Sequence, residues 1–363
     1  MINTGERGRL TIGEIRQQPE LWTKTLDCVD NNPLTSWMKG RAAIICGAGS
    51  SAYAASAVAA GWFNTLAIPT TDLLLFSEEE VLRLEPDFAV NGLLVSLARS
   101  GNSPESTAVV ARMRRMFSGA KHLVITCNRQ GNLARLKGVE TIVLDPRTND
   151  RSLVMTSSFS NLVLAGLGLA NQTVLCEGLP RIGDYVAASL PRLESLAQTL
   201  AASAPDRYVV LASSELAPLA REACLKVLEM TAGRITSLAE TFLGFRHGPM
   251  SFLRENTLVL CVLSNDARKR RYEEDLLLEL RHKKLGQLII VGQPRMDAAL
   301  AHVLVPAMAP NLPDYLRTPF EIVFPQLLAY HLSLASNLDP DNPSPDGVIT
   351  RVVENFQLHE NIA

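Results

Sequence analysis

Three short stretches of this 363-residue chain collect glycines, hydroxyl side chains and one arginine where a helix is about to begin. In "CGAGSSA", from Cys46 to Ala52, Gly47 and Gly49 allow close backbone approach, and Ser50 and Ser51 place hydroxyls at the helix start. In "ARSGNS", from Ala98 to Ser103, Arg99, Ser100 and Ser103 surround Gly101. In "VMTSSFSN", from Val154 to Asn161, Thr156, Ser157 and Ser158 stand at the mouth of a further helix. Free backbone amides and the helix dipole make such termini favourable for an anion, phosphate above all. N-capping is the competing explanation for any single loop, because Ser and Thr are common caps. Three such loops in one half of the chain, one of them with an arginine, favour the anion.

A dinucleotide reading competes for the first loop. Gly47-x-Gly49-x-x-Ala52 fits a relaxed fingerprint, with Asp72 about 20 residues on as the ribose-binding acid. Asp72, however, stands beside Thr70 and Thr71 ahead of another apolar run, and the fingerprint leaves "ARSGNS" without a purpose. A nicotinamide or flavin enzyme therefore stands as the alternative.

The second half holds a different constellation in "REACLKVLEMTAGRITSLAETFLGFRHGPMSFL". Lys226 and Glu229, three residues apart on a helix, share a face, and Glu222 lies one heptad before Glu229 on nearly the same stripe. His247 follows Arg246 and precedes Gly248-Pro249, a pair that imposes a sharp backbone path. A carboxylate and an imidazole are the usual agents of proton transfer. A solvated helix pair and a structural histidine are the bland readings of the same residues. The charged run "RKRRYEEDLLLELRHKK" reads as a solvated helix face.

These residues need a scaffold. The length suits two domains. With 47% hydrophobic and 20% charged residues the composition is that of a well-packed globular protein, and a net charge of -2 gives no general attraction to nucleic acid or an anionic membrane. The six cysteines are scattered without metal-ligand spacing and read as reduced thiols. The N-terminus lacks the apolar core of a signal peptide, and no apolar run reaches the ~18 residues of a membrane span, so a cytoplasmic protein is expected.

Polar helical sequence runs to about Lys39. Then "AAIICGAG", "GLLVSLARSG", "HLVITCNRQG" and "ETIVLDP" read as buried parallel strands, with helices from Ser51 to about Asn64 and from Pro104 to Met116. An amphipathic helix is expected over Ile182–Ala202. A second cycle opens with "RYVVLASSEL", continues through a helix to about Met230, and adds "TLVLCVLSND", "QLIIVGQP" and "HVLVPAM". "RYVVLASSELAPLA" matches "AAIICGAGSSAYA" with both glycines lost, which indicates a duplicated domain whose first copy is better equipped for an anion. The divisions expected are 1–40 as a helical segment, 41–203 and 204–340 as two domains, and 341–363 as a tail in which "VITRVV" docks.

The chain resembles the two-domain sugar isomerase (SIS) family that includes the isomerase half of glucosamine-6-phosphate synthase. The likeness runs from about residue 40 to residue 355 through "CGAGSSA", "SLARSGNSPES" and "LKVLEMTAGRITSLAETFLGFRHGP". It resembles more closely still the tagatose-6-phosphate ketose/aldose isomerase or galactosamine-6-phosphate deaminase/isomerase subgroup, where "ARSGNSPES" and "LGFRHGP" are typical. The resemblance implies an α/β fold of two tandem, doubly wound parallel-sheet domains of flavodoxin-like type. It places the phosphate-binding hydroxyls on Ser51, Ser100 and Ser103, beside Gly49 and Ser50. Arg99 falls where the synthase has glutamine, and Ala98 where it has serine.

Glu229 takes the role of the glutamate that moves a proton between carbons 1 and 2. His247 takes that of the histidine that opens the sugar ring, typically lent by a neighbouring subunit, which implies a homodimer or larger assembly. The stretch between them is two residues longer than in the synthase, around Glu240, and Arg351 stands in for the lysine of its C-terminal loop. The implied chemistry needs no metal and no cofactor. No glutamine-hydrolysing domain precedes residue 40, so ammonia release is expected rather than synthesis. The same fold also serves as a sugar-phosphate sensor in regulators, but no helix-turn-helix or basic stripe for DNA is evident here.

Overall fold

The computed structural model describes residues 7–30, 32–38, 40–294, 301–344, 346–351 and 357–359. The last two residues of "VITRVV" lie outside the described residues. Two compact units form: one from Glu20–Asp150, Ser157–Pro180 and Gly347–Ala363, the other from Met1–Pro19, Arg151–Thr156 and Arg181–Asp346.

The first unit is built on five parallel strands: β1 (Ala42–Cys46), β2 (Thr65–Ala67), β3 (Gly92–Ala98), β4 (Lys121–Thr126) and β5 (Glu140–Val143), in the order β2-β1-β3-β4-β5. β1 and β3 are buried at every position, which is why their sequences are apolar runs rather than alternations. Helix α2 (Gln18–Val29) is tied to the chain after residue 157 by Trp22 Nε1 donating to Ser160 Oγ at 3.2 Å and Thr25 Oγ1 to Asn161 Oδ1 at 2.6 Å; the shorter α1 (Arg9–Arg16) precedes it in the chain. Helix α3 (Ser50–Ala59) follows β1, and α4 (Pro104–Met116) follows β3. α3 ends five residues earlier than expected, because the Gly61–Asn64 turn, with Asn64 at φ 53°, leads into the edge strand β2.

Helix α5 (Ser157–Ala201) consists of two helical stretches that meet at a kink at Asn171, upstream of Ile182, where the second was expected to begin. Each interior proline removes one helical hydrogen bond, and the burial of Leu175, Leu179, Val186 and Leu193 outweighs that loss. The one lapse from helical dihedrals is at Asn171 (φ -127°, ψ 30°), whose Nδ2 donates to the Gly61 carbonyl at 2.9 Å.

The second unit repeats the plan. β6 (Arg207–Ala212), β7 (Thr236–Glu240), β8 (Thr257–Val262), β9 (Gln287–Val291) and β10 (Val303–Val305) are parallel and lie in the order β10-β9-β8-β6-β7. Read from its own first strand, that is the order of the first sheet. Helices α6 (Ala217–Met230), α7 (Ala267–Lys283) and α8 (Val323–Ala335) complete the frame, with α8 packed on α6.

The charged run on α7 departs from the solvated face expected of it. Arg270, Glu273 and Glu274 are buried. The guanidinium of Arg270 donates to the carbonyls of Ser264 (2.5 Å) and Gln293 (2.6 Å), and Glu273 accepts from the Ser264 amide at 2.8 Å. Loop carbonyls and amides that need partners draw these charges inward. The six cysteines are free thiols, and burial pushes Cys127 and Cys224 up to about 12, the condition of inert thiols. No helix among the described residues is long and apolar enough to cross a membrane.

Candidate active site

In a sheet of this order the chain leaves β1 and β3 in opposite directions, and ligands bind in the crevice beyond those strand ends. β1 and β3 are direct neighbours, with Cys46 opposite Ser96, so their two following loops open from the same sheet edge. These are "GAGSS" and "ARSGNS". Gly49 is the N-cap of α3 with φ 57°, and Ser50 and Ser51 form its first turn, both buried. A side chain on Gly47 would fall 2.3 Å from the Ser51 carbonyl, so only glycine lets the turn close.

Arg99 is buried at the end of β3, and Gly101 turns at φ 65°. Ser103 is the N-cap of α4. Capping does not account for these hydroxyls: neither Ser103 nor Thr156, the N-cap of α5, makes a side-chain capping hydrogen bond, and the N-cap of α3 is Gly49 rather than a serine. The Ser100 hydroxyl oxygen accepts from the Asn102 amide at 3.3 Å, leaving its proton to donate outward.

The third loop is arranged differently. Thr156, Ser157 and Ser158 are fully buried, and the amide and hydroxyl of Ser158 donate to Asp150 Oδ2 at 2.8 and 2.5 Å. A carboxylate of the chain itself thus stands at this helix N-terminus, where negative charge is favoured. The tail meets the same place: the Arg351 guanidinium donates to the Asp150 carbonyl and, at 2.8 Å, to Asn149 Oδ1. The Arg351 carbonyl accepts from Arg99 Nη2 at 3.3 Å. Asp150 escaped the sequence reading, although an acid shortly before a serine-rich helix start is a signal that could have found it.

In the second unit, α6 brings Glu222, Lys226 and Glu229 onto one face, as their spacing predicts. Lys226 Nζ lies 3.3 Å from Glu222 Oε1 and 2.5 Å from Glu229 Oε2. Glu222 and Lys226 have no exposed side-chain surface, whereas Glu229 keeps 32%. Burial works against the lysine charge, but the two carboxylates outweigh it and hold the pKa above its ordinary value. The result is a carboxylate fixed from behind by a permanent cation and open in front.

Glu240 Oε1 accepts from the Thr241 amide at 2.7 Å, which ties that carboxylate to its own chain. His247 lies just past a one-turn helix (Phe242–Phe245) and is exposed. Its neighbour Arg246 is held by Glu279 at 2.8 Å, and Gly248, at φ 117°, takes the strained turn that Pro249 then fixes. Asp72 lies within a short helix, Thr70–Leu73, five residues past β2 rather than at a strand end, which removes the geometric basis of the dinucleotide reading.

No family model matches the chain. An AgaS protein of Streptomyces coelicolor is 36% identical over 373 residues, covering 96% of this chain and 95% of that one. The D-galactosamine-6-phosphate deaminase AgaS of a Shewanella species is 32% identical, covering 96% and 91%. The solved structure of tagatose-6-phosphate ketose/aldose isomerase from Escherichia coli superposes with a TM-score of 0.82 at 30% identity, over 92% of this chain and 96% of that one. At 36% and 32% identity to these AgaS proteins over 96% of its length, the chain belongs to the AgaS family.

Proposed function

We propose that the protein converts galactosamine 6-phosphate to tagatose 6-phosphate and ammonia by proton transfer between carbons 1 and 2, without a metal. The observation that carries the reading is Glu229, half-open and held at 2.5 Å by a buried lysine. Ser51, Arg99, Ser100 and Ser103 take the phosphate, through charge-assisted hydrogen bonds that also orient the sugar. Gly49 and Ser50 shape the same turn, and Thr156, Ser157 and Ser158 are further candidates for binding the substrate.

His247 moves the proton of the carbon-1 hydroxyl to the ring oxygen, which breaks the bond from carbon 1 to that oxygen and frees the aldehyde. Glu229 then removes the proton on carbon 2 while the carbon-1 oxygen takes up a proton to give the enolamine, and the same carboxyl returns its proton to carbon 1 as the nitrogen gives one up. The product is a ketose imine. Water adds to carbon 2, the nitrogen leaves as ammonia, and the ketone remains. His247 is supplied by a second copy of the chain, a role suited to an exposed imidazole, and Arg351 anchors the tail that covers the phosphate loop.

A second reading draws on the solved isomerase: the same transfer without an amine interconverts an aldose and a ketose phosphate. A panel of hexose and hexosamine 6-phosphates, read for both ammonia and ketose, decides. Ammonia released in step with ketose from galactosamine 6-phosphate is the expected result. Ketose from the hexose phosphate alone establishes the second reading, and no turnover of any member overturns both.

A further inference from the structure

We infer that Asn128, on the loop after β4, is a positioning residue that sets the phosphate-binding loop; the inference rests on the phosphate role proposed above for Ser100 and its neighbours. Asn128 Nδ2 donates to the Ser100 carbonyl at 2.9 Å, and its Oδ1 accepts from the Gln130 amide at 3.0 Å. Both ends of the carboxamide are therefore engaged, and the group cannot turn over without losing both bonds. The Asn128 amide donates to Thr126 Oγ1 at 3.2 Å, and that hydroxyl donates to the Arg99 carbonyl at 3.4 Å. Further along the same loop, the Asn132 amide donates to Asn102 Oδ1 at 3.0 Å and the Leu133 amide to the Gly101 carbonyl at 2.9 Å. Gly131 lies directly beneath: a side chain there would fall 2.3 Å from the Ser100 carbonyl.

The consequence follows from the planarity of the peptide. In a trans peptide the carbonyl and the following N–H point in opposite directions. Holding the Ser100 carbonyl down against the β4 loop therefore turns the Gly101 N–H away from it. Holding the Gly101 carbonyl does the same for the Asn102 N–H, which in turn holds the Ser100 hydroxyl oxygen. The Gly101 amide donates to no acceptor among the described residues, which leaves it for a ligand oxygen. Asn128 does not touch the anion in this arrangement. It fixes the peptide planes that do, so that no ordering remains to be done on binding.

The test compares the wild type with Asn128→Ala and Gly131→Ala, in three measurements: KM and kcat for galactosamine 6-phosphate, the inhibition constant of inorganic phosphate, and Tm. Small misplacements of binding groups cost up to ~10²-fold, so both variants should raise KM and the phosphate inhibition constant about tenfold or more, with kcat changing far less. A fall in Tm with KM and the inhibition constant unchanged would mean that Asn128 only stabilises the fold, and overturns the inference. Gly131→Ala keeps the question open to measurement if Asn128→Ala fails to fold. A wild type that neither turns over a hexosamine phosphate nor binds phosphate overturns the parent reading instead, and is told apart by the wild-type arm alone.

Discussion

The carboxylate of Glu229 meets the ammonium of Lys226 at 2.5 Å, and the lysine is wholly buried while the glutamate is not. One side of the carboxylate is thereby held fixed, and the other remains available to a substrate. Replacing Glu229 with Gln keeps a hydrogen-bond acceptor for Lys226 but removes the proposed base. Positioned proton transfer contributes ~10²–10⁴-fold, so kcat should fall by that order while KM stays within a few-fold. Near-normal kcat in the variant would end the assignment.

Lys226→Met tests the other partner. It removes the ammonium that lies 3.3 Å from Glu222, a carboxylate with no exposed surface. Removing one member of a buried pair costs about 3–5 kcal/mol, and denaturant unfolding should show a loss of that order. The pH dependence has a definite sign. A lysine whose folded pKa stands above its ordinary 10.5 stabilises fully below that value and loses its contribution as pH rises through the folded pKa. Wild-type stability should therefore drop above pH 10.5 more steeply than that of the variant, and parallel alkaline curves would contradict the pairing.

Much of this was legible in the chain itself, for reasons that differ by element. β1 and β3 end in glycine and serine clusters straight after continuous apolar runs, so strands and candidate cradle announce one another. The Glu222-Lys226-Glu229 face follows from helical spacing alone. β2 and β7 escaped because short, partly exposed edge strands carry neither an apolar run nor an alternation. Asn128 reads as an ordinary turn residue, and only its bond to a carbonyl 28 positions earlier gives it a purpose. The buried charges of α7 were misread because the loop groups they satisfy are remote in sequence.

His122 supplies a stability prediction away from the chemistry. It is buried in β4, and neither ring nitrogen has a hydrogen-bond partner. Burial, aided by nearby Arg114, pushes its pKa down to about 4. A histidine neutral when folded and ordinary when unfolded costs stability as pH falls from its ordinary 6.5 to about 4, by up to about 3 kcal/mol in all. His122→Leu should flatten the loss of Tm over that interval. An acid limb of the same slope in both proteins would show that His122 does not titrate with unfolding.

The exposed His247 allows a mixing experiment. His247→Asn and Glu229→Gln should each be nearly inactive alone. If one copy lends its imidazole to the site of another, a mixed assembly holds a site with a wild-type glutamate and a wild-type histidine. Refolding the two variants together should then restore turnover. Activity no higher than that of the separate proteins would place both residues of each site in a single chain.

Arg99 donates to the Arg351 carbonyl at 3.3 Å, a contact between the charge at the proposed phosphate loop and the tail. A neutral acceptor of this kind yields to a phosphate oxygen, because hydrogen bonds between ionised groups are about twice as strong as neutral ones. Arg99→Gln should weaken phosphate binding by about 1.5–3 kcal/mol, the range for a hydrogen bond to a charged group. Its charge should also be visible in ionic strength. The inhibition constant of inorganic phosphate should rise with added salt in both proteins, and more steeply in the wild type, since the variant has one fewer cation to screen. Equal slopes would remove Arg99 from the phosphate site and leave it as an anchor for the tail.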